Sequence, residues 1–337
     1  MTYISKGEKN NMQEKQLMIG VPTKDHPRYI QFYLSRVLDD AKAYNIDLHI
    51  YDSSENNLTE HIVNQKIEQG YSNLYYHRYD ANLLLEEKVK DILVDSRYEY
   101  VWLCGDGAIL YLENTVPFIS REMEKGRDLI VFDFLDRKER YLEYTDPLKL
   151  IVEQWMVLTL YGGTIYKGDL FLNEEWDRLF SLYTNNVPLG GIFDIFARRS
   201  LNAVVVDTEF CINNVYKDGS TWVKSGNYLQ AVVDCMPTAV DRLPELYNPV
   251  KKQVARIFSR GKLMILPSSL WWLRANGNLT FKKAFKYRKQ IRTATGAKVT
   301  NFHYMLLWGI SIIPHKTAKR WLTSFTILSR EMEIWGK

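Results

Sequence analysis

The feature that most constrains this chain is an alternation between residues 17 and 134. Short apolar runs rich in β-formers take turns there with stretches of helical period. Residues 17–21 open the series and end in Pro22-Thr23. Residues 28–44 follow, with Ile30, Tyr33, Leu34, Val37, Leu38 and Ala41 on one side. Residues 46–51 read as a second strand ending at Asp52-Ser53-Ser54, and Thr59 as the N-cap of the next helix. Residues 74–77 form a third strand and 83–94 an amphipathic helix. Residues 100–104 read as a strand buried on both faces, and 129–134 as a fifth strand. This rhythm predicts parallel β-α-β units, and so an α/β fold with a mostly parallel sheet flanked by helices.

In open α/β sheets, ligands sit beyond the carboxyl ends of the strands. The strand at 100–104 runs directly into Gly105-Asp106-Gly107. Paired glycines let a diphosphate and its metal approach the backbone. Asp106 offers the oxygen donor that Mg²⁺ or Mn²⁺ prefers, with phosphates completing the shell. The same tripeptide is also good chemistry for an ordinary β-turn, and the stretch by itself leaves both readings open. The first strand ends in Val-Pro-Thr and not GxGxxG, and no GxxxxGK[ST] loop occurs. Neither a dinucleotide-binding Rossmann site nor a P-loop is supported.

Further along, Asp146 and Pro147 start a helix over 146–158 as N-cap and first helical residue. Residues 161–166 resemble a strand whose Gly162 and Gly163 allow close backbone approach. The run 190–199, GGIFDIFARR, places Asp194 inside an otherwise apolar helical segment. Residues 204–213 and 221–223 look extended. From about residue 229 the chain turns helical, breaks at 241–244, and continues as a long basic helical section.

Composition sharpens this picture at three points. Cys104, Cys211 and Cys235 are odd in number with no CxxC spacing, which argues against a disulfide framework or zinc site and for a reducing compartment. The first twenty residues lack an apolar run of the secretory kind, so a cytoplasmic location is expected. The net charge of +4 hides an asymmetry: residues 251–337 carry 18 Lys and Arg against Glu331 and Glu333, a net +16, leaving −12 on the remainder. An acidic body with a basic tail implies an acidic partner for the tail.

Taken in order, Val21-Pro22-Thr23, Asp52, Gly105-Asp106-Gly107, Gly162-Gly163-Thr164 and Asp194 resemble the motifs of glycosyltransferases of the GT-A fold, close to family 2, over roughly residues 15–245. YVWLCGDG, WVKSGNY and DRLPELY are similar to segments of cell-surface glycosyltransferases of Gram-positive bacteria. Some of these decorate serine-rich adhesins, and others build capsule or wall polymers. Residues 1–16 are polar and read as a flexible end; the resemblance implies a GT-A domain over 17–245 and a helical basic region over 246–337 serving oligomerisation or membrane docking. It implies that Pro22, Thr23 and Asp52 hold the uridine of a UDP-sugar, with Arg78 and Lys88 close to the nucleotide. Gly105 and Asp106 would meet the diphosphate, Asp106 as ligand of a weakly held Mn²⁺ or Mg²⁺. Gly163 and Thr164 would line the sugar and acceptor cleft, and Trp222 and Lys224 would close over the pyrophosphate. Asp194 would be the general base of an inverting transfer of glucose or N-acetylglucosamine to a surface glycan or glycoprotein. Two departures stand out. Only Asp106 survives of a motif with two or three carboxylates, and no histidine occurs between His77 and His303 to serve as a late metal ligand.

Each residue also has a plainer reading. Asp194 could pair with Arg198, four residues on, although desolvation among Ile192, Phe193, Ile195 and Phe196 would raise its pKa and suit a base. Asp52 could cap the Ser-Ser turn, Lys88 could lie on a solvated helix face, and Trp222 could be core. In the tail, Phe281, Phe285 and Tyr287 among lysines suit either an anionic bilayer, at the inner face of the membrane, or a contact between subunits of a homo-oligomer. No RNA-binding signature accompanies them. Residues 304–314 are too few to span a bilayer, which needs about 20. Two rival functions follow: a sugar-1-phosphate nucleotidyltransferase, which would need a Gly- and Arg-rich first loop, and a non-catalytic scaffold of a glycosylation complex.

Overall fold

The computed structural model describes residues 16–133, 140–216, 226–256, 267–295 and 301–321. Leu17–Thr23 (β1), Asp47–Asp52 (β2), Leu74–Arg78 (β3) and Tyr100–Leu103 (β4) pair in parallel, in the order β3-β2-β1-β4. Between them run Pro27–Ala43 (α1), Leu58–Glu68 (α2) and Leu85–Leu93 (α3). β1, β2 and β4 are buried along their whole length, as strands covered on both faces must be. The six residues expected on the inner side of α1 are the six it buries.

Five strands depart from the parallel series read from the sequence. The segment expected at 161–166 is Thr164–Lys167 (β8), antiparallel to β4, with Gly162 and Gly163 in the turn before it. Ala108–Leu110 (β5) and Cys211–Asn213 (β10) form a two-stranded antiparallel ribbon, and Tyr141–Tyr144 (β7) pairs antiparallel with Ala203–Asp207 (β9). With Leu129–Asp133 (β6), the sheet order is β3-β2-β1-β4-β8-β6-β9-β7. Leu112–Glu124 (α4) follows β5 and keeps Pro117 within it. Pro147–Leu158 (α5) starts as read from the sequence, with Asp146 accepting from the Leu148 amide at 2.8 Å. Thr59 is not a cap: the α2 N-cap position is Asn57, and Thr59 is buried in the first turn.

The chain divides into two compact units. One comprises residues 1–130, 164–173 and 209–214; the other comprises residues 131–163, 174–208 and 215–337. In the first unit, polar residues buried at the β2–β3 edge are linked in a chain. Tyr98 Oη donates to Asp47 Oδ2 at 2.7 Å, so it accepts from His49 Nε2, 2.9 Å away. His49 Nδ1 lies 2.9 Å from His77 Nε2. In the second unit, Trp176–Tyr183 (α6) and Val187–Phe196 (α7) pack together, and every residue of α7 is buried. A Cβ on Gly190 would lie 2.2 Å from the Tyr183 ring, so glycine lets α6 and α7 meet there. The basic section is helical, as expected, at Pro267–Ala275, Phe281–Lys286, Arg288–Thr295 and Asn301–Ile312. Tyr287, expected on the outer face with Phe281 and Phe285, is instead buried.

Candidate functional site

The parallel register sets Thr23, Asp52 and Arg78 in one row at the carboxyl ends of β1, β2 and β3. On the other side of β1, β4 ends level with Gly20, and the chain turns at Gly105-Asp106-Gly107, where the Ala108 amide donates to Gly105 O at 3.1 Å. The tripeptide is thus a turn at a strand end. The turn carries the Asp106 carboxylate to Thr23: Thr23 Oγ1 donates to Asp106 Oδ2 at 2.7 Å. His26 Nδ1 lies 2.9 Å from the same oxygen, and its ring stacks on Tyr29 at 4.5 Å. Asn214 Nδ2 donates to Asp106 O and to Tyr29 O, both at 3.1 Å, tying the turn to α1. A Cβ at Gly105 would meet nothing within 4 Å, so space lies open over the turn and packing does not demand a glycine there.

The loop after β1 is fixed in an unusual shape. Asp25 holds φ at +54°, a region that costs a non-glycine residue free energy and is frequent at functional sites. Its amide donates to Ser54 Oγ at 2.7 Å, and its carboxylate accepts from the Glu55 amide at 3.0 Å. These bonds hold His26 where it reaches Asp106.

Asp52 is fully buried and its oxygens are taken up by the protein. Oδ1 accepts from the Ser54 amide at 2.8 Å and Ser54 Oγ at 2.5 Å, and Oδ2 accepts from Tyr76 Oη at 2.9 Å. The plainer reading, a cap of the Ser-Ser turn, describes this side chain. Burial pushes the Tyr76 hydroxyl up to about 12. Arg78, 3.5 Å from Asp52, donates to Ser54 O at 2.7 Å and Asn56 O at 3.0 Å, bracing the same loop. Pro22 is buried within β1.

Lys88 departs furthest from its sequence reading. It does not lie on a solvated face of α3 but is 2% exposed. Nζ donates to Thr23 O and to Ser53 Oγ, each at 2.7 Å. Burial lowers its pKa to about 8, against the attraction of Asp52 and Asp106. Glycine is again the reason a helix can come so near: a Cβ on Gly20 would lie 2.5 Å from Ile92, one turn along α3 from Lys88. Lys88 and Arg78 together balance the two carboxylates of Asp52 and Asp106 at the strand-end row.

Asp194 differs. Arg178 donates to both its oxygens, through Nη1 to Oδ1 at 3.2 Å and through Nη2 to Oδ2. Tyr183 Oη donates to Oδ1 at 3.1 Å, and Arg198 Nη2 to Oδ2 at 3.1 Å. Arg198 also reaches Glu174 at 2.7 Å. Burial works to raise the Asp194 pKa, but Arg178, Tyr183 and Arg198 together hold it below the usual carboxylate value. The raised pKa expected from its apolar neighbours is thus corrected, and the pairing with Arg198 is present. Gly163 and Thr164 are both buried, Thr164 at the start of β8. Trp222 and Lys224 lie outside the described residues.

The sequence reading misses His26 and Asn214. His26 sits three residues past a strand end, the position the strand-end rule itself marks. Asn214 is 108 residues from Asp106, and no local pattern could connect them. Among the described residues, no group of three His, Cys, Asp or Glu side chains could hold a metal ion. Asp106 would therefore hold one only together with a ligand's own phosphates.

No protein-family model and no curated protein matches the chain by sequence. Solved structures do match. Staphylococcus aureus TarS, residues 1–349, in complex with UDP-GlcNAc superposes with a TM-score of 0.57 at 11% identity, covering 90% of each chain. The same TarS segment in complex with UDP gives 0.50 at 12% identity, again over 90% of each chain. This chain has the GT-A fold. At that identity the likeness fixes the architecture; residue roles rest on the site itself.

Proposed function

We propose that the protein is a glycosyltransferase that takes a hexose, glucose or N-acetylglucosamine, from a UDP-sugar and passes it with inversion to a hydroxyl of a cell-surface glycan or glycoprotein. The observation that carries the proposal is the strand-end arrangement of Thr23, His26 and Asp106 above the buried ammonium of Lys88. It lies where α/β sheets bind ligands, on a fold whose TarS counterpart binds UDP-GlcNAc. In this reading Lys88 and Arg78 offset the charge of the nucleotide, and Asp52 shapes the loop against it. Asp106 meets the diphosphate, where a substrate-borne Mn²⁺ or Mg²⁺ would supply further charge for the departing UDP.

The proposal assigns removal of the acceptor proton to Asp194, under one condition. Both its oxygens accept from Arg178, so an acceptor hydroxyl must displace that guanidinium before the carboxylate can take a proton. Trp222 and Lys224 are proposed to cover the diphosphate, and Gly163 and Thr164 to back the sugar.

Release of UDP from a panel of UDP-sugars, with Mn²⁺ and with EDTA, tests the reading in wild type and Asp106→Ala. Metal-dependent hydrolysis of one donor, lost in Asp106→Ala, is the expected result. Turnover that ignores EDTA would remove the metal from the proposal and keep the transfer. Absence of both turnover and binding for every donor would favour the scaffold.

A further inference from the structure

We propose that the helices Phe281–Lys286 and Asn301–Ile312 form a docking face for an anionic phospholipid bilayer. On the first helix the usual pattern is inverted. Ala284 is buried, whereas Phe281 and Phe285, one turn apart, are 52% and 53% exposed with their rings stacked at 6.4 Å. On the second helix Leu307, Ile310 and Ser311 face inward, and Met305 and Ile312 are 70% and 66% exposed. Met305, Trp308, Gly309 and Ile312 fall at i, i+3, i+4 and i+7, which is a single stripe. Phe281 meets Trp308 edge to face at 5.5 Å, so the two apolar sets are continuous.

Charge selects the occupant. Residues 246–330 contain 17 lysines and arginines and not one aspartate or glutamate. Lys282, Lys286, Arg288, Lys289 and Arg292 are exposed around the rings, and the Arg288 guanidinium lies 4.3 Å over the Phe285 ring. Cations flanking exposed aromatic and aliphatic side chains match the boundary between lipid headgroups and acyl chains. A second copy related by a two-fold axis would set this patch against itself, like charge on like charge. A nucleic acid would use the cations but find no partner for Met305 and Ile312. Among the described residues no helix is long and apolar enough to cross a membrane, so the contact is interfacial.

Co-sedimentation of the full chain with vesicles tests this, using phosphatidylcholine alone and phosphatidylcholine doped with phosphatidylglycerol. Wild type should pellet with the doped vesicles only, and less so at high salt. Each cation near the surface is worth roughly five-fold in partition. Lys282→Glu with Lys286→Glu should therefore weaken binding at least about a hundred-fold. Phe281→Ser with Phe285→Ser should weaken it about ten-fold or more while lowering the melting temperature by only a few degrees through loss of the Trp308 contact. No pelleting of wild type with doped vesicles at low salt overturns the proposal whatever the variants do. Binding indifferent to the phenylalanine pair overturns it in favour of a general polyanion surface. A lipid-free assembly in light scattering that dissociates in the phenylalanine variant overturns it in favour of a second copy.

Discussion

Two aspartates, one in each unit, show how the same side chain is kept for different work. Asp106 stands at a strand end, with a threonine hydroxyl and a histidine as its side-chain partners and open space over the glycine before it. Asp194 lies inside a wholly buried helix, gripped by two arginines and a tyrosine. A carboxylate held by one hydroxyl and one imidazole can exchange partners for a ligand at small cost. One in a bidentate guanidinium fork gives up strong charge-assisted bonds to do so. The contrast supports the proposed binding role of Asp106 in its present geometry and makes the proposed role of Asp194 conditional on movement of its arginine.

The largest expected effect tests the first half of that contrast. Asp106→Ala should lower kcat/KM at least about a thousand-fold, near 4 kcal/mol, with little change in melting temperature, as steady-state kinetics and a thermal melt would show. A loss of stability equal to the loss of activity would make Asp106 a structural turn residue instead.

Next comes the lysine beneath the site. Its pKa is depressed in the fold, from 10.5 to about 8, so between those values the unfolded chain binds more protons than the folded one. Stability contributed by this group accordingly rises as pH goes from 8 to 10.5 and is absent below pH 8. The span corresponds to about 3 kcal/mol. Urea unfolding at pH 7, 8, 9 and 10 should show that rise in wild type relative to Lys88→Met, and UDP affinity should fall in the variant. Parallel pH curves for the two proteins would mean that Lys88 is hydrated in solution.

Asp194 offers a smaller effect of another kind. Asp194→Ala leaves Arg178 and Arg198 without their shared anion. Breaking a fully buried pair costs about 3–5 kcal/mol. Both guanidiniums here are partly exposed, so about 2 kcal/mol is expected in chemical denaturation. The milder Asp194→Asn should abolish transfer and leave UDP affinity intact. Transfer that survives in the asparagine variant would make Asp194 an anchor of α6 and α7 and end its assignment as base.

The smallest effect concerns Gly20. Gly20→Ala puts a methyl against Ile92 and pushes on the helix that carries Lys88. About 1–3 kcal/mol of stability should be lost, with a several-fold weaker UDP affinity by calorimetry. An unchanged affinity would show that Lys88 does not depend on that close approach.

Much of the fold was legible because period and burial agree. The inner face of α1, the four parallel strands and the Asp146 cap follow from local pattern alone. What escaped was decided at long range or against a local cue. β5 and β10 are three residues each and exist only through each other. Pro117 sits inside α4, where a proline normally argues for a break. For the site, strand ends pointed to Thr23, Asp52 and Asp106. Lys88 among Glu86, Glu87 and Lys90 reads as surface, although it shares the buried face of α3 with Val89, Ile92 and Leu93, which packs closely on Gly20. His26 and Asn214 acquire meaning only through a carboxylate 80 and 108 residues away.

The most direct test of the central claim is calorimetric titration of UDP into four proteins: wild type, Asp106→Ala, Lys88→Met and Asp194→Asn. The account predicts binding to wild type and to Asp194→Asn, and at least about a ten-fold loss in the other two, the size expected when a charged contact is removed. No binding to wild type, or equal binding by all four, would contradict it.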